Sequence, residues 1–320
     1  MPLDVLRSPA EWNARYGIAS NAQKRSALTI GCFDGIHLGH QHVLRRVAAK
    51  AREAGLLPGV VTFDPHPLRI LRPADAPLLI ATLEQRLEGF AALGIAAALV
   101  LKFDAELARV TAVEFLRGIL VGQLGMAAIL VGPHFRFGNR QAGNVEMLED
   151  GASRYRYTVE LMLPVQLDGE IVSSTAIRSA VLEGRVAEAA RLLGRPFSLT
   201  GAIRVGAGRG RAILFPTLNL AAEQELLPRT GVYVTETRIG DRVYGSATNV
   251  GVRPTVDGGS LSVESHLFNF SEILERGRIE VRFIDRLRDE RKFASVDELR
   301  AQIARDLETA QELLKAPESR

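Results

Sequence analysis

Short, almost unbroken apolar runs alternate with stretches of helical spacing through the first part of the chain. Ala27–Gly31, Leu56–Phe63, Ala96–Phe103 and Met126–Val131 read as strands, and His40–Gly55, Thr82–Leu93 and Thr111–Leu124 between them read as helices. Strands that are apolar on both faces and alternate with helices predict a parallel sheet covered on both sides. In His40–Gly55 the positions Val43, Leu44, Val47 and Ala51 share one helix face, and Gly55 follows as a stop. Next, Tyr155–Leu163 reads as a strand, Asp168-Gly169 as a turn, and Ala176–Glu183 and Val186–Leu193 as helices.

After Gly194-Arg195-Pro196 the pattern changes. Short segments of alternating character separated by glycine-rich turns predict strands at Ser198–Val205, Gly231–Ile239, Arg242–Ala247, Leu261–Phe268 and Ile279–Ile284. Ile239-Gly240-Asp241-Arg242 reads as a hairpin turn. Ser295–Leu314 has Val296, Leu299, Ile303, Leu307 and Leu313 roughly in helical register, and Ser295 with Glu298 predicts a capping box. A small antiparallel barrel with a C-terminal helix fits this half. A chain of 320 residues exceeds one ordinary core. The expected division is 1–185 as an α/β domain, 186–197 as linker helix and boundary, and 198–320 as a β domain.

Composition changes this picture little. The chain is 47% apolar and 24% charged, within the range of globular proteins. Net charge is +3, from 40 Lys and Arg against 37 Asp and Glu. That suits anionic small molecules and is too weak to argue for nucleic acid. Cys32 is the single cysteine, so no intrachain disulfide is expected and a reducing compartment is. The opening MPLDVLRSPAEW lacks the apolar core of a signal peptide, and the apolar run Phe90–Leu101 is too short for a bilayer. A cytoplasmic protein without membrane association is expected.

The chemistry concentrates at Leu28–His42. A strand, a tight turn and a helix opening near Gly39 bring His37 and His40 to a helix N-terminus. Unpaired N–H groups and the positive dipole end favour phosphate there, and Gly39 lets backbone approach it closely. Either histidine alone would read as a surface residue; the unit Gly-x-Phe-Asp-Gly-x-His-x-Gly-His reads as a phosphate site. Thr62-Phe63-Asp64-Pro65-His66-Pro67 ends a strand where ligands bind in open α/β sheets, either as a site wall or as a rigid loop. The cluster Ser173-Ser174-Thr175 is a good helix cap by itself. Arg178 in that first turn opposes the helix dipole, and an anion shared by cap, dipole and Arg178 would remove the conflict.

The run Gly31–His40 resembles the HxGH signature of nucleotidyltransferases with a Rossmann-like domain. Together with the Phe-Asp-Pro-His-Pro string and Ser173-Ser174-Thr175-Ala176-Ile177-Arg178, it resembles the adenylyltransferase half of bacterial bifunctional riboflavin kinase/FAD synthetases. The resemblance implies that Gly31, Phe33, Asp34, Gly39, Ser173, Ser174 and Arg178 bind ATP, with His37 and His40 catalytic. It also implies that the two helix N-termini face one nucleotide, and that Cys32 is no nucleophile. Gly132-Pro133-His134-Phe135-Arg136-Phe137-Gly138 resembles a family loop that usually has Asp or Asn where this chain has His134. Phe135 and Phe137 could pack on a flavin or adenine ring, with Asp64 nearby, or plug the local core.

In the second half, Gly206, Gly210 and Arg211 followed by Pro216-Thr217-Leu218-Asn219 resemble the riboflavin kinase motif. This implies a glycine loop over ATP, with Thr217 and Asn219 holding Mg²⁺ through oxygen, as suits that hard cation. The chain departs from the family at Leu214, usually Gly, and at Leu218, usually Ala. Asn249-Val250-Gly251-Val252-Arg253-Pro254-Thr255 and Val263-Glu264-Ser265-His266 match further family strings, and Leu287–Phe293 resembles a loop closing over the flavin. Strand alternation puts Glu264 and His266 on one face, and the resemblance makes Glu264 the general base. The whole resembles an enzyme that phosphorylates riboflavin to FMN and adenylylates FMN to FAD, using ATP and Mg²⁺. An alternative makes the barrel a flavin-binding regulatory module without turnover. Another makes the first domain an adenylyltransferase for a different phosphate-bearing cofactor.

Overall fold

The computed structural model describes residues 2–17, 25–204, 217–252, 261–272 and 274–315. It divides into two compact units, Met1–Pro77 with Ala81–Val172 and Leu78–Ile80 with Ser173–Arg320.

The first unit runs β1 (Asp4–Leu6), α1 (Pro9–Tyr16), β2 (Ser26–Ile30), α2 (Leu38–Ala54), β3 (Leu57–Asp64) and α3 (Pro67–Leu71). It continues α4 (Leu83–Ala92), β4 (Ala97–Lys102), α5 (Ala112–Glu114), β5 (Met126–Val131), α6 (Val145–Tyr155) and β6 (Thr158–Leu161). A small hairpin, β7 (Gln166–Leu167) and β8 (Glu170–Ile171), ends it. The six-stranded sheet has the order β1-β4-β3-β2-β5-β6, and every pairing is parallel. The chain moves outward from β2 through β3 and β4, then returns to place β5 on the other side of β2. That reversal is the topological switch point where open α/β sheets bind ligands.

The apolar runs alternate between two cores, which is why they contain almost no polar residues. Leu28, Val61, Leu99 and Ile129 pack with Trp12, Leu116, Leu120 and Leu124 on one face. Ala27, Val60, Ala98 and Ala128 pack with Leu44, Val47, Ala51 and Phe90 on the other. The two β2 neighbours Ala27 and Leu28 thus serve opposite layers.

In this unit two elements were unforeseen and two expectations need correction. β1 and α1 were not read from the sequence; Ser8 caps α1 through Glu11 N, and Pro9 opens it. The expected strand Tyr155–Leu163 is cut short because α6 occupies Val145–Tyr155, capped by Asn144 Oδ1 accepting from Met147 N at 2.9 Å. Only Thr158–Leu161 pairs, at the sheet edge. The expected helix Thr111–Leu124 begins as α5 but runs on in π-helical form from Phe115 to Gln123.

The second unit contains α7 (Ser174–Leu182), α8 (Val186–Leu193), β9 (Phe197–Arg204), β10 (Leu218–Ala222) and β11 (Gly231–Ile239). There follow β12 (Arg242–Val252), β13 (Leu261–Leu267), β14 (Arg278–Arg288) and α9 (Val296–Lys315). The strands close a barrel in the order β10-β13-β12-β11-β14-β9 through antiparallel pairings, and the Ile239–Arg242 hairpin forms as expected. β10 was read only as part of a motif, not as a strand. In α9 the stripe holds in its middle, with Leu299, Ile303 and Leu307 half-buried beside the buried Asp306 and Ala310, while Val296 and Leu313 are exposed. Asp306 is buried because it binds Arg288 through both carboxylate oxygens, at 2.7 to 3.0 Å. The capping box is half realised: Ser295 Oγ accepts from Glu298 N, but the Glu298 carboxylate accepts from Ala294 N.

Inside the barrel a run of hydroxyls replaces part of the expected apolar core. Thr237, Ser246, Thr235, Thr248 and Ser265 are fully buried and linked in that order by hydroxyl contacts of 2.7 to 2.8 Å. Enclosed hydroxyls are tolerated only when paired. Each pairing crosses between strands, so the run fixes the register of β11, β12 and β13. Thr248→Val strands two partners and is expected to lower unfolding stability by about 1–3 kcal/mol. Thr248→Ser should cost much less. Chemical denaturation of the two variants checks this, and a valine variant as stable as the parent would show that the run contributes nothing.

Candidate active sites

In the first unit the site grows from the end of β2. Past Ile30 the chain turns through Phe33 and Ile36, both in the left-handed region at φ 51° and 44°, and Gly35 at φ 89°. Such conformations are uphill for residues with a side chain. They are held by burial: Phe33 is 4% exposed and packs edge-on against Phe90, and Ile36 is 3% exposed under Gly89. Asp34 is buried too, and its Oδ1 accepts from Ala81 N at 3.1 Å.

This turn delivers His37 as the N-cap of α2, with Nδ1 accepting from His40 N at 3.3 Å. A neutral His37 ring therefore carries its proton on Nε2. The His37 and His40 rings stack at 3.6 Å between centroids, 20° from parallel. Phe33 lies edge-on to His40 at 5.1 Å. Burial, together with the His37 ring, holds His40 well below the ordinary histidine pKa, so it is neutral at pH 7. His40 Nδ1 is enclosed with no hydrogen-bond partner among the described residues. Gly39 fits because a Cβ there would lie 3.1 Å from the His37 ring and 3.7 Å from the Val172 carbonyl. A Cβ on Gly31 would meet the Phe33 ring at 3.2 Å. The structure thus brings Gly31, Phe33, His37, Gly39 and His40 into one cluster at the mouth of α2.

Asp64 ends β3 one strand away, and His66 caps the short α3 by accepting from Leu68 N at 3.2 Å. Between the β2 and β3 ends sits a residue the sequence reading missed. Arg86 of α4 is 4% exposed and donates to the Cys32 carbonyl at 2.9 Å, and to Thr62 Oγ1 and the Phe63 carbonyl at 3.2 Å. Its Nη2 stands 3.7 Å from Asp64 Oδ1. Burial lowers its pKa, while Asp34 and Asp64 oppose that shift. Phe137 is buried within the first core and stacks on Phe135 at 5.6 Å. Its ring therefore plugs the core, while Phe135 is only partly buried. His134 is exposed.

In the second unit Ser173, not Ser174, caps α7: its Oγ accepts from Ala176 N at 3.2 Å. Ser174 is the first residue of the helix. Arg178 Nε donates to the Leu78 carbonyl at 2.8 Å, which takes up part of the charge that the dipole argument left unexplained.

On the barrel, Asn219 of β10 stands opposite Glu264 of β13, and Glu264 stands opposite Asn249 of β12. Residues paired in this way share a face, about 5 Å apart at Cβ. The face is the one turned away from the hydroxyl run, since Ser265 and Thr248 point inward. Glu264 and His266 are both half-buried, as the alternation predicts. Asn249 Nδ2 donates to Glu290 Oε1 at 3.3 Å, which ties the segment after β14 to this row. Thr217 lies immediately before β10. Gly206, Gly210, Arg211 and Leu214 lie outside the described residues, as do Arg253 to Thr255.

Residues 19–176 match the family model for FAD synthetase, and residues 193–314 match the model for riboflavin kinase. The bifunctional riboflavin kinase/FMN adenylyltransferase of Haemophilus influenzae is 36% identical over 91% of this chain and 95% of its own length. The protein of the same name from Escherichia coli K12 is 35% identical over 93% of this chain and 95% of its own. That from Pseudomonas fluorescens is 37% identical over 89% and 92%. A crystal structure described as a macrolide-efflux protein from Streptococcus pneumoniae matches at TM-score 0.85 and 30% identity, over 97% of this chain and 99% of that one. No helix among the described residues is long and apolar enough to cross a membrane.

The neutral imidazole of His40 has a consequence for stability. The unfolded chain binds a proton there below about pH 6.5, and the folded chain does so only well below that value. The unfolded state thus holds more protons in that window, and stability rises with pH across it. The contribution is complete above the ordinary histidine pKa and is lost as pH falls towards the folded value. Urea unfolding at pH 7.5 and 5.5 should show a smaller loss on acidification for His40→Asn than for the parent. An equal loss in both would place the titration elsewhere.

Proposed function

The chain belongs to the bifunctional riboflavin kinase/FMN adenylyltransferase family, and from that membership we propose how its residues divide the two reactions. The enzyme phosphorylates riboflavin to FMN in its C-terminal barrel and adenylylates FMN to FAD in its N-terminal α/β unit, with ATP as the second substrate of both.

In adenylyl transfer an FMN phosphate oxygen attacks the α-phosphorus of ATP and pyrophosphate leaves, so no protein nucleophile is required. What the protein must supply is position and charge stabilisation. The observation that carries this reading is the stacked pair His37 and His40 at the start of α2. The His37 Nε2–H donates to an α-phosphoryl oxygen, and the helix N-terminus adds its dipole. His40 joins it at the same phosphoryl group. Gly31, Phe33, Asp34 and Gly39 form the wall around the nucleotide. Ser173, Ser174 and Arg178 take the β and γ phosphates, and Asp64 and Phe135 lie on the flavin side, with Phe137 holding Phe135 from below.

In the kinase reaction Glu264 accepts the proton of the riboflavin 5′-hydroxyl as that oxygen attacks the γ-phosphorus of ATP. Its placement between Asn219 and Asn249 supports this role. Mg²⁺ would be held by Thr217 and Asn219, whose neutral oxygens suit a hard cation. When bound it neutralises charge on the transferring phosphate. Gly206, Gly210 and Arg211 belong to the loop that covers the ATP phosphates. The departures at Leu214 and Leu218 are the only support for the regulatory-module reading of the barrel, and Glu264, Thr217 and Asn219 argue against it. A cytoplasmic location fits the need for ATP and the single cysteine.

Product chromatography after incubation with Mg-ATP tests the division of labour. His37→Ala with His40→Ala is expected to lower FAD formation from FMN by about 100-fold or more while FMN formation from riboflavin persists. Glu264→Gln should do the reverse, leaving FAD formation intact when FMN is supplied. Loss of both activities in either variant would count against separate sites. Chelation with EDTA should stop riboflavin phosphorylation and added Mg²⁺ should restore it; turnover that continues in chelator would remove the metal from the scheme.

A further inference from the structure

Arg86 sits where the two walls of the adenylyltransferase site part company. β2 and β3 pair in register only as far as Ile30 and Val61, and the last ladder bond is Gly31 N to the Val61 carbonyl. Beyond that point the β2 loop leads to the histidines and the β3 end leads to Asp64. α4, capped by Thr82 and Gln85, inserts one guanidinium into the gap. Its Nη1 reaches Cys32 on the first loop and both Thr62 and Phe63 on the second. Its Nη2 is the nearest cation to Asp64, at 3.7 Å. Thr62 Oγ1 adds a bond to the Cys32 carbonyl at 3.3 Å. Thr62 is itself a partner of Arg86.

Packing alone does not explain this choice of residue. A helix that needed only to cover the sheet would place an apolar side chain here, as the same helix does four residues on with the fully buried Phe90. Enclosing a cation is costly unless it is matched by specific acceptors. The fork of Arg86 is matched on both sides of the gap, and Asp34 and Asp64 supply the compensating charge.

We infer that Arg86 is a positioning residue for adenylyl transfer, fixing the spacing between the histidine loop that holds ATP and the Asp64 loop on the flavin side. The inference rests on the adenylyltransferase reading of the N-terminal unit. Arg86 touches neither reacting group; it acts through the Cys32 and Phe63 carbonyls and through Asp64. Misplacement of one wall by about 1 Å is enough to cost some 100-fold in rate.

The test uses the full chain, with riboflavin phosphorylation as the internal control. Arg86→Met should lower kcat for FAD formation from FMN at least tenfold and leave FMN formation within twofold of the parent. Arg86→Lys keeps a cation and should recover most of the rate near neutral pH. An enclosed lysine loses its proton at lower pH than arginine, which stays charged throughout. The lysine variant should therefore lose FAD formation on the alkaline side, between about pH 8 and 10, where the parent does not, while its FMN formation keeps the pH profile of the parent. Cys32, Asp34 and Asp64 face the same group and are common to both proteins. A lysine variant whose pH profile and kcat parallel the parent would overturn the inference, as would a methionine variant with parental kcat. A parent that formed no FAD would instead refute the adenylyltransferase reading itself.

Discussion

At the carboxyl edge of a parallel sheet the hydrogen-bond ladder stops, yet the strands must stay together while their loops spread to admit a ligand. In the first unit that constraint is met by one enclosed guanidinium. Arg86 takes up carbonyls from both sides of the opening, so the backbone is satisfied without closing the gap. The strained turn through Phe33 and Ile36 is affordable only because its ends are fixed in this way and its side chains are sunk in the core. From that turn follow the His37 cap, the stacked imidazoles and the approach to Gly39.

The stacking also sets the electrical character of the site. Two protonated imidazoles at this separation would repel, and His40 is too enclosed to carry a charge. At the mouth of α2 the neutral His40 ring thus stands beside the His37 cap and the helix N-terminus. Such groups offer hydrogen bonds in fixed directions and need little rearrangement as charge shifts along the reacting phosphate. The barrel reaches a comparable result by other means. Its hydroxyl run fixes strand register from within, and that register puts Asn219, Glu264 and Asn249 side by side on the opposite face.

Much of this was legible in the sequence. The strands at Ser26, Leu57, Ala97 and Met126 and the helices between them followed from periodicity, because buried parallel strands have little choice of residue. The cluster around His37 and His40 followed from a compact motif. The misses have physical causes. β1 has only three residues and α1 only eight, too short for a period to register. α6 hid behind polar residues, although Asn144 before Val145 was a cap signal and Leu148 marked its buried side. Arg86 stands between Glu84 and Glu88, and no motif singled it out. Its spacing of four from Phe90 put it on the buried stripe, but only the tertiary fold shows carbonyls waiting there. On α9 the reading missed Asp306, a residue expected in water that is buried as the partner of Arg288.

Closure of the barrel bears on how this chain can go wrong during synthesis. A ring of strands in which each has two neighbours gives an incoming polypeptide no border to dock on. The parallel sheet does have borders. One is the brief β1; the other is β6, where Arg46 from α2 grips Glu160 with both nitrogens at 2.5 and 3.0 Å and lays a charged pair along the rim. Aggregation by strand recruitment is thereby steered to the open borders of the N-terminal unit and away from the closed ring of the kinase half.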